Sequence, residues 1–386
     1  MSTTKISLRF VTPVLMSFFV MSFCDLVGIG VDRVKLDFSL SNTLTQLIPS
    51  AVFLWFFILS VPVGILQDRF GKRKMPNLGM LITAAGLFVP FFYYSFSSAL
   101  VAFTLLGIGN TIVQVSANPL LVDVVPAARR SSFLSLSQFI KAVGSMIAPP
   151  LAGWTAAQFG DWKLIFVAFG VVSLLSIFWL VLTPIAEAKS TEERATLGSS
   201  FKLLRNSYVL LMVLGIFLLV GIDVGINAFS GQFFLSKFSS DRLFAESARS
   251  IYFFGKMLGT FGGAIMLAML PSRKFFFWSA VTGVLSILLL LIAPSDTIAI
   301  VLVFIVGLGI ANIFPLIFSL TVEQYPLRAN EISGLMIMAV SGGAVLPPLM
   351  GFLSDATGNV NWGMMVLLLS AAYLLFISLY NQKSRA

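Results

Sequence analysis

The sequence predicts an all-α membrane protein with twelve transmembrane helices arranged as two six-helix halves. Three observations lead there. The composition is too apolar for a soluble surface, long apolar stretches follow one another almost end to end, and short motifs recur about 200 positions apart.

Of the 386 residues, 58% are hydrophobic and 11% charged, and the mean hydropathy is +0.97. A soluble domain needs a charged skin that this chain lacks. A membrane-crossing helix takes about 20 consecutive apolar residues. Such stretches fall near 9–31, 45–66, 76–95, 98–124, 131–154, 162–183, 207–235, 247–270, 274–293, 297–322, 332–354 and 361–380. The first is long for a signal peptide, contains Asp25 and has no clear small-residue cleavage site, so it is expected to be retained. The one long polar segment, 184–206, reads as a cytoplasmic linker between a half spanning 1–183 and a half spanning 207–386.

Loop charge sets the expected orientation. With both termini inside, 17 of the 25 Lys and Arg fall in cytoplasmic segments and six in outer ones. Such an excess follows the positive-inside rule and places both ends in the cytoplasm of a cell whose inner membrane the chain crosses. The net charge of +9 sits in short inter-helical clusters and forms no basic face, which argues against a nucleic-acid partner. One cysteine, Cys24, excludes an intrachain disulfide, and the lack of His removes the usual metal ligand. No cofactor is expected, and no reactive constellation suggests an enzyme.

The two halves repeat. APPLAG at 148–153 matches LPPLMG at 346–351, and Gly107-Ile108-Gly109 matches Gly307-Leu308-Gly309. Arg73-Lys74 matches Arg273-Lys274, and Asp25-Leu26-Val27-Gly28-Ile29 is echoed by Asp223-Val224-Gly225-Ile226. Four matches, at offsets of 198 or 200 positions, indicate duplication with both halves in the same orientation.

After the second stretch the chain reads Gly64-Ile65-Leu66-Gln67-Asp68-Arg69-Phe70-Gly71-Lys72-Arg73-Lys74. Gly64 and Gly71 permit close helix approach and a tight turn. Asp68, with Arg69 and Arg73 nearby, suits a latch between helix ends that breaks when the halves rock; the plainer reading is a loop that only fixes orientation. The segment resembles the loop motif of the major facilitator superfamily. Within it, Gln114-Val115-Ser116-Ala117-Asn118-Pro119, Ile313-Phe314-Pro315 and Ser341-Gly342-Gly343 through Gly351-Phe352-Leu353-Ser354-Asp355 are similar to the fucose permease group. That resemblance implies the major facilitator fold and symport of a sugar with protons.

Polar residues inside apolar stretches mark candidate sites. Asn110, Gln114 and Asn118 are spaced i, i+4, i+8 on one helix face. Amides there suit a hydroxylated ligand, since each donates and accepts, or else serve as interhelical glue. Gln138 and Lys141 in the fifth stretch, Asn227 in the seventh and Asn312 in the tenth complete the substrate-binding candidates. Asp25, Lys141, Asp223 and Lys256 are charges within the membrane, two of each sign, so pairing is expected. The fucose permease pattern carries Glu where this chain has Gln114 and Asn where it has Lys141. That departure points to Asp223 as proton carrier, with Asp25 as its repeat partner. The resulting expectation is a monomeric carrier, in contact with lipid, that takes up a small polar solute, a monosaccharide, together with protons. A carrier of a sugar acid or other organic anion is the alternative, because Lys141 supplies a central cation. A membrane sensor that binds solute without moving it is the non-transport reading.

Overall fold

Inside a bilayer every backbone N–H and C=O must find a partner within the chain, which leaves helices as the simplest answer for a sequence of this hydropathy. The computed structural model describes residues 7–40, 44, 47–126, 129–185 and 196–383, and among them it contains helices and no strand. Residues 186–195 of the expected linker, and the side chains of Asp68 and Arg69, lie outside the described residues.

In chain order the helices are α1 (Leu8–Met21), a 3₁₀ segment (Ser22–Leu26), α2 (Val27–Asp37), α3 (Leu47–Phe70), α4 (Lys74–Phe92), α5 (Phe96–Val124), α6 (Arg130–Phe159) and α7 (Leu164–Leu182). A short α8 (Leu197–Lys202) precedes α9 (Ser207–Phe238), α10 (Arg242–Met266), α11 (Ser272–Leu291), α12 (Asp296–Ile310), α13 (Ile313–Gln324), α14 (Ala329–Met338), α15 (Gly342–Thr357) and α16 (Val360–Lys383). Among the described residues, ten stretches are long and apolar enough to cross a membrane, counting α1–α2, α12–α13 and α14–α15 as one each. Two more long helices, α6 with 30 residues and α10 with 25, are more polar along their length.

Local chemistry explains many ends. Ser95 and Ser98 form a reciprocal capping box at the start of α5, and Asn206, Asp241 and Ser295 cap α9, α10 and α12. Each cap satisfies backbone N–H groups that a helix start leaves open. Gly71, at φ 93°, makes the turn between α3 and α4 in a backbone region that favours glycine.

The packing repeats along with the sequence. A Cβ on Gly107 would collide with the Val52 carbonyl, and one on Gly307 would collide with the Tyr252 carbonyl. Gly109 meets Thr83 on α4, and Gly309 meets Thr282 on α11. Thus α5 lies against α3 and α4 as α12 lies against α10 and α11. The first group of helices meets the second where α6 packs on α10 and α3 on α14. Ser132 on α6 donates to the Ala264 carbonyl on α10 at 2.7 Å, and Ser333 on α14 donates to the Val115 carbonyl on α5 at 3.2 Å.

Candidate functional site

Two adjoining cavities lie between these groups of helices and share Cys24, Asp25, Phe53, Asp223 and Val224 on their walls. Gln114, Gln138, Lys141, Lys256 and Phe314 complete one chamber. Pro49, Asn227, Arg249, Phe253 and Pro347 help to line the other. Apolar walls with a few convergent polar groups are the usual make-up of a small-molecule site.

Asp25 reaches the cavities from the 3₁₀ segment Ser22–Leu26, where the first stretch tightens in mid-course. Short 3₁₀ pieces inside a long helix often mark hinges or strain. Its carboxylate accepts from Ser145 Oγ on α6. Lys141 stands one turn before Ser145, and its ammonium makes no hydrogen bond or ion pair among the described residues. Asp25 and Asp223 are both within electrostatic reach of it.

Asp223 on α9 is more firmly held. Its Oδ2 accepts from Lys256 Nζ at 2.6 Å and its Oδ1 from the Tyr252 hydroxyl at 2.5 Å, both from α10. Tyr252 and Lys256 are four residues apart and therefore share a face of that helix. Asp223 is thus paired with Lys256, a choice of partner that the sequence left open. Asp25 and Lys141 are near one another without making contact.

The amide candidates divide. Gln114 and Gln138 line the chamber with Lys141, and Asn227 lines the other chamber. Asn110 does not reach either one. It donates to the Met21 carbonyl on α1 at 2.8 Å and accepts from Gln114 Nε2 at 2.8 Å, fixing α5 against α1. Asn118 donates back to the Gln114 carbonyl of its own helix. Asn312 donates to the Gly259 carbonyl on α10 at 2.7 Å and borders a separate apolar groove between α10, α11 and α12. These three, expected from the sequence to meet the ligand, bond to backbone carbonyls here and line neither chamber. A helix interior in lipid offers few other partners for a buried amide, so a neighbouring backbone carbonyl takes it.

In the loop motif, Gly64 is buried within α3 and Gly71 makes the turn. Lys72 pairs with Asp123 at the end of α5 at 2.8 Å, and Arg73 donates to the Thr183 carbonyl at the end of α7 at 2.8 Å. The expected Asp68 and Arg69 contacts lie outside the described residues. Sequence reasoning missed Ser145, Tyr252 and Arg249. A search for hydroxyls one turn from each in-membrane charge would have found Ser145 and Tyr252.

A profile described as the Major Facilitator Superfamily matches residues 14–326. The chain is 27% identical to a glucose/galactose transporter of Brucella abortus, over 97% of this chain and 94% of that one. It is 23% identical to the L-fucose-proton symporter of Escherichia coli, over 84% of this chain and 81% of the relative. Among solved structures it matches a major facilitator transporter, FucP, in the outward conformation. The TM-score is 0.82, with 19% identity over 97% of this chain and 99% of that chain.

Proposed function

The chain belongs to the Major Facilitator Superfamily, and from that premise we propose that it is a secondary transporter carrying a monosaccharide together with a proton. The observation that carries this reading is the shared cavity. It is walled by an acid from each end of the duplication, Asp25 and Asp223, and by the amides of Gln114, Gln138 and Asn227. Amides that both donate and accept suit hydroxyls, and a carboxylate within the membrane is a natural proton carrier. The glucose/galactose and fucose relatives support the substrate class, and the proton symporter among them supports the coupling.

The halves 1–183 and 207–386 are read as two six-helix bodies of twelve spans in all, with α6 and α10 supplying the two more polar ones. The recurring glycine contacts, Gly107 on Val52 and Gly307 on Tyr252, support that division. Substrate sits between the bodies, and rocking exposes it to each side in turn. Both termini face the cytoplasm, the protein acts as a monomer, and Asp68 latches the cytoplasmic ends.

Of the two acids, Asp25 is the readier to cycle. Protonation there weakens one hydrogen bond from a serine, whereas at Asp223 it would break an ion pair with Lys256 and weaken the hydrogen bond from Tyr252. This reverses the order expected from the sequence. The test is uptake into proteoliposomes of glucose, galactose, fucose, glucuronate and galacturonate, with and without an inward proton gradient. Gradient-stimulated accumulation of one of them supports the reading; accumulation of none, with no counterflow, overturns it.

A further inference from the structure

Every charged group of the chamber that holds Gln114 and Gln138 has a contact except one. Asp25 accepts from Ser145, and Asp223 and Lys256 bond each other. Lys141 lines the same wall with three N–H donors and no partner among the described residues. An ammonium at this depth is costly without a counter-charge, and its nearest help is the field of Asp25. Beside it, Gln138 makes no hydrogen bond among the described residues, and Gln114 donates one N–H to Asn110 and lines the same chamber.

From this juxtaposition we propose that the substrate is an acidic monosaccharide, a sugar carrying one carboxylate, which Lys141 receives while Gln114 and Gln138 meet its hydroxyls. The inference rests on the reading of the chain as a proton-coupled sugar transporter and narrows its substrate class. It also links the two loads. When Asp25 takes up a proton on a carboxylate oxygen, Lys141 loses its nearest counter-charge, and the sugar's carboxylate replaces it. Proton and anion then cross together with no net charge added to the cavity. A neutral hexose satisfies the amides equally well but leaves that ammonium uncompensated.

The test is binding to the purified full-length protein in nanodiscs, with galacturonate and glucuronate set against galactose and glucose, and with adipate as an anion without hydroxyls. The wild type should bind a uronate at least about tenfold more tightly than the matching hexose, a difference of about 1.4 kcal/mol. Lys141→Gln should lose that preference, so that uronate and hexose bind about equally. Lys141→Arg keeps the charge and should keep the preference, which separates a charge effect from a folding defect. Equal or tighter binding of the hexose by the wild type, or an undiminished uronate preference in Lys141→Gln, overturns the inference and leaves the sugar-transporter reading standing. Binding of adipate in preference to every sugar and uronate overturns both.

Discussion

Lys256 Nζ lies 2.6 Å from Asp223 Oδ2, joining α10 to α9 on the wall of the central cavity. The side chains remain 16% and 24% exposed, so this ion pair is neither sealed in a core nor open to bulk solvent. Removing one member should therefore cost less than the roughly 3–5 kcal/mol typical of a fully buried pair.

Asp223→Asn is expected to lower the melting temperature, because it strands the Lys256 ammonium. The double variant Asp223→Asn with Lys256→Met should regain most of that loss, since no unpaired charge remains. Thermal melts of the purified single and double variants check this. A double variant as unstable as the single one would mean that the pair contributes nothing as a pair.

Asp25→Asn should abolish accumulation driven by a proton gradient while preserving counterflow, because the carboxylate that cycles has gone and the amide still accepts from Ser145. Proteoliposome uptake with and without the gradient distinguishes the two activities. Gradient-driven accumulation at wild-type rates would remove Asp25 from the coupling step. If Asp223→Asn alone shows that loss, the coupling belongs to α9.

Gly307→Ala should destabilise the protein and impair transport. The added methyl has nowhere to go but into the Tyr252 backbone, and Tyr252 holds Asp223. Forced overpacking of this kind costs about 1–3 kcal/mol. Gly153→Ala is the control, as nothing lies within 4 Å of a Cβ at that position. Melting temperatures of the two variants should diverge, with Gly153→Ala close to wild type.

Lys72→Gln should reduce stability without altering the balance between outward-open and inward-open forms. Its partner Asp123 ends α5, within the same proposed six-helix body, so the pair moves as a unit. Asp68→Asn is the variant expected to shift that balance toward inward-open. Spin-label distances between the cytoplasmic ends of α3 and α14 report both. A shift caused by Lys72→Gln would place the latch in the Lys72–Asp123 pair instead.

Orientation is testable in a Cys24→Ser background. A membrane-impermeant thiol reagent should label Thr297→Cys in intact cells and Lys202→Cys only after permeabilisation, because loop charge puts the former outside. The opposite pattern would invert the topology.

Much of this was legible in one dimension. Hydropathy is a property of the chain itself, and it was enough to predict a multi-span helical protein. The rarity of charge within lipid likewise singled out Asp25, Lys141, Asp223 and Lys256, because a charge there must be paired or functional. What the sequence left open was which way each side chain faces and what it meets. The Asn110, Gln114 and Asn118 ladder shares a helix face, yet only Gln114 lines the cavity, because α1 covers Asn110 and Asn118 turns back on its own helix. Asn312 is likewise taken by the Gly259 carbonyl. Tertiary packing alone decided that Asp223 is bound by an ammonium and a phenol, whereas Asp25 has a serine and Lys141 stands apart. The physical reason is that helix rotation and separation are set by contacts such as Gly107 on Val52 and Gly307 on Tyr252, between residues far apart in sequence.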